Sequence, residues 1–156
     1  MSATHHKEQR LMLIEKVLLL KSLSLFEETP ETVLAELAEI LEEEDFEKDK
    51  SIFSAGDEAH CMYIIFKGEV RIHKDQHTFA VLKENDFFGE LSLLDTETRS
   101  ASATTNTEAL LLKIDQEPFY ELMESRIEVA KGIIKTLCRR LKAQNEKSVQ
   151  SKPAQS

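Results

Sequence analysis

Apolar residues crowd one end of the chain. Leu11, Met12, Leu13, Ile14, Val17, Leu18, Leu19 and Leu20 fall within residues 7–22, broken only by Glu15-Lys16. On a helical wheel they cover most of the circumference, and a helix apolar nearly all round is buried on more than one side. Two covers stay open: the chain's own domain, or a second copy or larger effector meeting residues 7–22. A second helix follows, with Thr29 at its cap and Pro30 at its first helical position. Val33, Leu34, Leu37, Ile40 and Leu41 form its inner face. Glu36, Glu39, Glu42, Glu43 and Glu44 form a solvated one.

From Asp45 the period shortens. Segments with strand character recur at Ser51–Phe53, Cys61–Phe66, Val70–His73, Thr78–Lys83, Ser100–Thr105 and Ala109–Ile114, with turns at Ala55-Gly56-Asp57 and Lys67-Gly68 between them. Many short strands at this spacing point to a sandwich, barrel or jelly roll. The period then lengthens again. Asp115 caps a short helix with Pro118 in its first turn. Ser125 and Glu128 stand at capping-box spacing, which starts a new helix near Arg126. Ile127, Ala130, Ile134, Leu137 and Leu141 form its apolar stripe, while Lys131, Lys135, Arg139, Arg140 and Lys142 lie mostly elsewhere. The junction at Ser125 suits either a hinge or a simple cover for the strands. The last residues, with Lys152-Pro153, read as a disordered end.

Composition narrows the function. The 156 residues fit one domain. Net charge is −9, from 29 acids and 20 bases, which argues against a nucleic-acid partner needing a basic face. The stretch after Lys142 is also too short for a helix-turn-helix. Cys61 and Cys138 form no CxxC pair and read as reduced thiols of a cytoplasmic protein. The histidines lack the spacing of a metal site. No apolar run approaches the roughly 18 residues of a membrane span, and no signal peptide or fixed-period repeat is visible.

The chemistry concentrates in “FFGELSLLDTETRSASA”, Phe87–Ala103. Catalysis finds little support there: Glu90 has no second titratable group beside it, and the serines have no neighbouring histidine. An anion site fits better. Gly89 lets the backbone approach a ligand, “ELSLL” makes about one helical turn whose leading N–H groups attract anions, and Arg99 offers a planar fork for phosphate. Glu90 repels phosphate, so it suits a ligand hydroxyl such as a ribose 2′-OH. Ser100, Ser102 and Thr104 on one strand face, with Ala101 and Ala103 on the other, are poor strand formers that leave room near the backbone.

These residues resemble the phosphate-binding cassette of cyclic nucleotide-binding domains, of the catabolite-activator and cAMP-dependent-kinase regulatory-subunit type, in a bacterial setting. The shared pattern is Phe88-Gly89-Glu90-Leu91-Ser92-Leu93-Leu94, a short loop, then Arg99-Ser100-Ala101-Ser102. “GDEAHCMYIIFKGEVRI” (Gly56–Ile72) resembles the family's glycine turns around two of its strands, and the likeness covers about residues 25–145. Thr98 stands where many members carry proline, which leaves that loop freer.

The resemblance implies an α+β, mainly β fold: an eight-stranded jelly roll or barrel with N-terminal helices and two C-terminal helices. It divides the chain into an apolar helix (1–24) as a candidate interface, a nucleotide-binding domain (25–145) and a tail (146–156). It implies a non-catalytic sensor with no metal or resident cofactor, binding cAMP in preference to cGMP. Glu90 would meet the ribose 2′-OH, Arg99 and Ser100 the cyclic phosphate, and Gly89, Leu91, Ser92 and Ala101 the rest. Leu137 and Leu141 are the candidate base lid. The rival reading keeps the fold but signals without ligand, as an interaction or oligomerisation module.

Overall fold

The changes of period along the chain correspond to real changes of element. In the computed structural model, which describes residues 11–151, helix α1 spans Leu13–Ser22, a 3-10 turn Ser24–Phe26 and α2 Glu31–Glu39. Strands then alternate with turns from Glu42 to Asp115, interrupted by the one-turn helix α3 (Glu90–Leu94). Helices α4 (Gln116–Ser125) and α5 (Ile127–Ser151) close the described chain. The expected helix over residues 7–22 thus begins at Leu13, with 7–10 outside the described residues. Helix α5 continues into the segment assigned to the tail from residue 146.

Eight strands form two four-stranded antiparallel sheets. One runs in the order β1 (Glu42–Phe46), β10 (Ala109–Asp115), β4 (Cys61–Lys67), β7 (Phe87–Phe88). The other runs β2 (Ser51–Phe53), β9 (Ser102–Thr105), β5 (Val70–Lys74), β6 (His77–Leu82). A two-residue ribbon pairs β3 (Glu58–Ala59) with β8 (Glu97–Thr98). Tyr63, Ile65, Val70, Phe88, Ala103 and Leu111 pack between the sheets. Met62, Ile64, Leu112 and Ile114 pack outward against Leu20, Leu34, Leu37, Phe119 and Val129 of the helices. Strand β4 is therefore buried on both faces, which is why it reads “MYII” without polar alternation. Gly68 turns the chain into β5 at φ 104°; a Cβ there would stand 2.5 Å from the Glu108 carbonyl oxygen.

Several local expectations are overturned. Glu42, Glu43 and Glu44 belong to β1, not to a solvated helix face. Glu42 and Glu44 flank Lys113 of the neighbouring β10, at 3.6 and 3.3 Å. Burial works against the Lys113 charge, but Glu44, Asp115 and Glu42 together raise its pKa. Lys16, which breaks the apolar run in the sequence, is buried and paired with Glu43 at 3.5 Å. Helix α1 buries Leu19 and Leu20 but exposes Met12, Leu13, Ile14 and Leu18, so among the described residues it is covered on one side only. Pro30 caps α2, and the buried Thr29 hydroxyl has no hydrogen-bond partner. Ser125 ends α4 and donates to the Leu122 carbonyl at 3.1 Å, so it does not act as the cap of α5.

The apolar stripe read along α5 lies mostly on its outer side: Ile127, Ile134 and Leu141 are each 59% exposed. Val129, Gly132, Ile133 and Thr136 face the domain instead. Small residues allow this close approach, since a Cβ on Gly132 would stand 3.2 Å from Thr29 Oγ1. Polar clamps add to it: Thr136 Oγ1 donates to the Ser24 carbonyl at 3.4 Å, and Arg126 grips Glu36 at 2.7 Å, holding the Glu36 carboxyl below its usual range.

Candidate functional site

The cassette folds back on itself around Gly89. This residue ends β7 and caps α3 at φ 83°, where a side chain is strained. An added Cβ would also stand 2.5 Å from Arg99 Nη1 and 3.1 Å from the Cys61 carbonyl. Glycine is thus required both by the turn and by the guanidinium lodged against it. The chain then makes the single turn of α3, in which the Ser92 N–H donates to the Gly89 carbonyl at 3.1 Å. That N–H is consequently not among the free donors expected at the start of this turn. The loop returns through β8 to Arg99, whose N–H donates to the Asp57 carbonyl at 2.7 Å.

Arg99 is only 8% exposed. Nη1 donates to Ser92 Oγ at 3.2 Å, Nη2 donates to the Cys61 carbonyl at 2.9 Å, and the guanidinium lies 4.0 Å from the centre of the Phe53 ring. All of these partners are neutral. Among the described residues no carboxylate pairs with Arg99, so a buried positive charge faces the site without a counter-anion. Such a charge is costly unless an anion joins it. Glu90 and Arg99 do not neutralise each other. Glu90 pairs with Arg140 of α5, whose Nη1 stands 3.2 Å from each carboxylate oxygen.

Both groups line one cavity of about 260 Å³. Its walls are Phe53, Ile72, Phe88, Gly89, Glu90, Leu91, Ser92, Glu97, Thr98, Arg99, Ser100 and Ala101. Each of the seven residues singled out in the sequence lies on this wall: Gly89, Glu90, Leu91, Ser92, Arg99, Ser100 and Ala101. Strand β9 begins after the last two. Ser102 accepts from the Ala55 N–H and Thr104 bonds the His73 ring, at 2.9 and 2.8 Å, so these hydroxyls brace the sheet and are not cavity groups. The wall behind is apolar and aromatic: Phe88 stacks on Tyr63 at 5.4 Å and lies 5.9 Å from Phe53. Burial pushes both the Cys61 thiol and the Tyr63 hydroxyl above their ordinary pKa values.

Other parts of the site lay beyond the reach of the sequence. Phe53 and Ile72 come from strands distant in the chain, and no local spacing announces them. Arg140 sits among basic residues indistinguishable by type. Gln116 on α4 donates to the Ser92 and Leu93 carbonyls at 3.2 and 3.3 Å, and Tyr120 donates to the Leu94 carbonyl, which ties α3 to α4. Leu137 and Leu141, the candidate base lid, are 37% and 59% exposed and do not line the cavity. Among the described residues no three His, Cys, Asp or Glu side chains are placed to hold a metal, and no helix is long and apolar enough to cross a membrane.

Known proteins resemble this chain in sequence and in fold. The chain is 29% identical over 126 residues to a CRP-like cAMP-activated global transcriptional regulator of Mycobacterium tuberculosis, covering 78% of this chain and 56% of that protein. It is 34% identical over 116 residues to a cAMP-dependent protein kinase regulatory subunit of Eremothecium gossypii, covering 71% of this chain and 23% of the other. The crystal structure of the N-terminal domain of a transcriptional regulator from Streptomyces coelicolor A3(2) superposes with a TM-score of 0.78 at 27% identity, over 83% of this chain and 94% of that one. The chain spans about half the length, or less, of these two full-length relatives. Likeness to transcriptional regulators leaves the expectation of no nucleic-acid partner unsupported; the acidic net charge describes this chain alone. The family profile described as the cyclic nucleotide-binding domain matches residues 43–126. This chain belongs to the cyclic nucleotide-binding domain family, and its mainly β fold of two sheets with flanking helices is the family's fold.

Proposed function

We propose that the chain is a non-catalytic, cytoplasmic sensor module that binds cAMP in preference to cGMP and relays occupancy through α4 and α5. The observation that carries this reading is the buried, unneutralised guanidinium of Arg99 in the same cavity as the carboxylate of Glu90. The first suits a cyclic phosphate and the second a ribose hydroxyl, and a cyclic nucleotide presents both. Ser100, on the cavity wall, would add a hydrogen bond to the phosphate. Phe53, Ile72 and Leu91 give the base an apolar surface. Two relatives are named for cAMP, which favours that nucleotide, while cGMP-dependent protein kinase 2 of Mus musculus, 31% identical over 131 residues, keeps cGMP as the second ligand to test. The Gln116 and Tyr120 bonds give a route from α3 to the C-terminal helices.

Calorimetric titration with cAMP and cGMP tests this. The expected result is binding of both, tighter for cAMP, with Arg99→Ala weakening it about tenfold or more, the worth of a charge-assisted contact. Absence of binding at millimolar nucleotide by a folded protein would refute the reading. A second reading draws on the exposed Met12, Leu13, Ile14 and Leu18 of α1, which suit a ligand-independent oligomerisation surface. Light scattering on Ile14→Lys/Leu18→Lys decides it: an assembly that dissociates, in a protein that binds no nucleotide, favours this alternative.

A further inference from the structure

The cavity wall carries an unequal set of charges. Among the described residues that line it, Arg99 alone is cationic, while Glu90 and Glu97 are acidic. From Glu84 to Thr98 the chain holds five carboxylates and no lysine or arginine. The two wall acids differ in their surroundings. Glu90 is met by Arg140, whose Nη1 stands 3.2 Å from each carboxylate oxygen. Glu97 has no such partner: among the described residues no cation stands within ion-pair distance of it. Its backbone is held in place. It pairs with Ala59 in the β3–β8 ribbon, and two residues later the Arg99 N–H donates to the Asp57 carbonyl at 2.7 Å. The other acids of that ribbon are engaged, Asp57 with the Ser54 N–H at 2.9 Å and Glu58 with His60 at 3.3 Å.

We propose that Glu97 is a specificity-determining residue that reads ligand charge, so that the site accepts one negative charge and penalises a second. This rests on the cyclic-nucleotide reading of the cavity. Arg99 supplies one positive charge, and a cyclic phosphodiester, a monoanion, satisfies it. An open-chain 5′-monophosphate carries about two negative charges near neutral pH, because its second ionisation lies at about pH 6. The additional charge finds no further cation on the wall and faces the unpaired Glu97 carboxylate beside Arg99. Repulsion between like charges grows in proportion to the charge of the ligand. Glu97 therefore costs a dianion about twice what it costs a monoanion, and it separates the two by charge rather than by shape.

Competition titrations of cAMP and 5′-AMP against a fluorescent cAMP analogue, at about pH 7.5, test this. In Glu97→Gln cAMP should bind about twofold tighter and 5′-AMP about fourfold tighter, so the preference for cAMP falls about twofold, the size of a screened interaction between exposed charges. Glu97→Lys reverses the charge and should lower the preference about fourfold. Salt at about 0.5 M should remove most of both changes, which a purely structural effect of the substitutions would not do. Glu84→Gln deletes the same charge from a residue off the cavity wall and should leave the preference unchanged. Equal shifts for the two ligands in the Glu97 variants, an equal fall of preference in Glu84→Gln, or 5′-AMP too weak to measure even in Glu97→Lys would each overturn the role of Glu97 while leaving cAMP binding intact. If the wild-type protein binds no cAMP, the binding reading falls and the charge filter with it.

Discussion

The cassette and helix α5 carry comparable amounts of sequence signal, yet they reward reading differently. In the cassette, the seven residues chosen as ligand contacts all lie on one cavity wall. In α5, the face chosen for its hydrophobicity is the one turned to solvent. The cassette is constrained locally. Gly89 must adopt a positive φ and leave room for Arg99, so glycine, acid and base are locked at fixed spacing by the turn itself. Helix α5 is a regular element with no such lock. Its period establishes that a helix forms; which side meets the domain depends on what the domain offers. It offers the surface around Glu28 and Thr29, which Gly132 approaches closely while Val129 and Ile133 bury their side chains on the same face.

Neighbouring isoleucines on α5 give the sharpest way to break this contrast. Ile133 is 3% exposed and Ile134 is 59% exposed. Ile133→Ala should cost roughly 2–5 kcal/mol of unfolding free energy. Ile134→Ala should cost less than about 0.5 kcal/mol. Urea denaturation of the two variants checks the orientation directly, and a reversed order would mean that the stripe of Ile127, Ile134 and Leu141 faces the domain.

The cassette side of the contrast is sharpened by Gly89→Ala. Left-handed backbone costs a residue with a Cβ about 1–2 kcal/mol, and the new methyl group displaces the Arg99 guanidinium, since it would stand 2.5 Å from Nη1. Thermal melts should show that modest loss of stability. Affinity for cAMP, measured in parallel, should fall about tenfold, as in Arg99→Ala. A variant with lowered stability and intact affinity would separate the turn from the site and weaken the claim that Gly89 positions Arg99.

What the sequence made legible follows the same division. Strands β2, β4, β5, β6 and β10 stand close to where apolar residues and turns place them, because burial and turn chemistry are written locally. Strand β1 was hidden: “EEEDF” looks like a solvated helix end until Lys113 and Lys16 arrive from elsewhere to pair with its acids. Phe53, Ile72 and Arg140 reach the site only through tertiary folding. Lys16 is the extreme case, a charge that breaks an apolar run and is then buried. Long-range partners decide each of these residues, and local pattern does not contain them.

Thr29 carries the contrast to its smallest scale. The residue reads as the cap of α2, yet its hydroxyl is buried beside Gly132 with no partner. An unsatisfied buried hydroxyl is a net cost, whereas a cap hydroxyl is worth about 1 kcal/mol to its helix. Thr29→Val keeps the branched shape and deletes only the polar atom. The two roles therefore give opposite signs. The packing against α5 predicts a gain of about 1 kcal/mol in Thr29→Val; a capping role predicts a loss of similar size. Denaturation of this one variant reads the sign, and a loss would mean that the hydroxyl serves α2 after all and that α5 packs less closely over Thr29 than Gly132 allows.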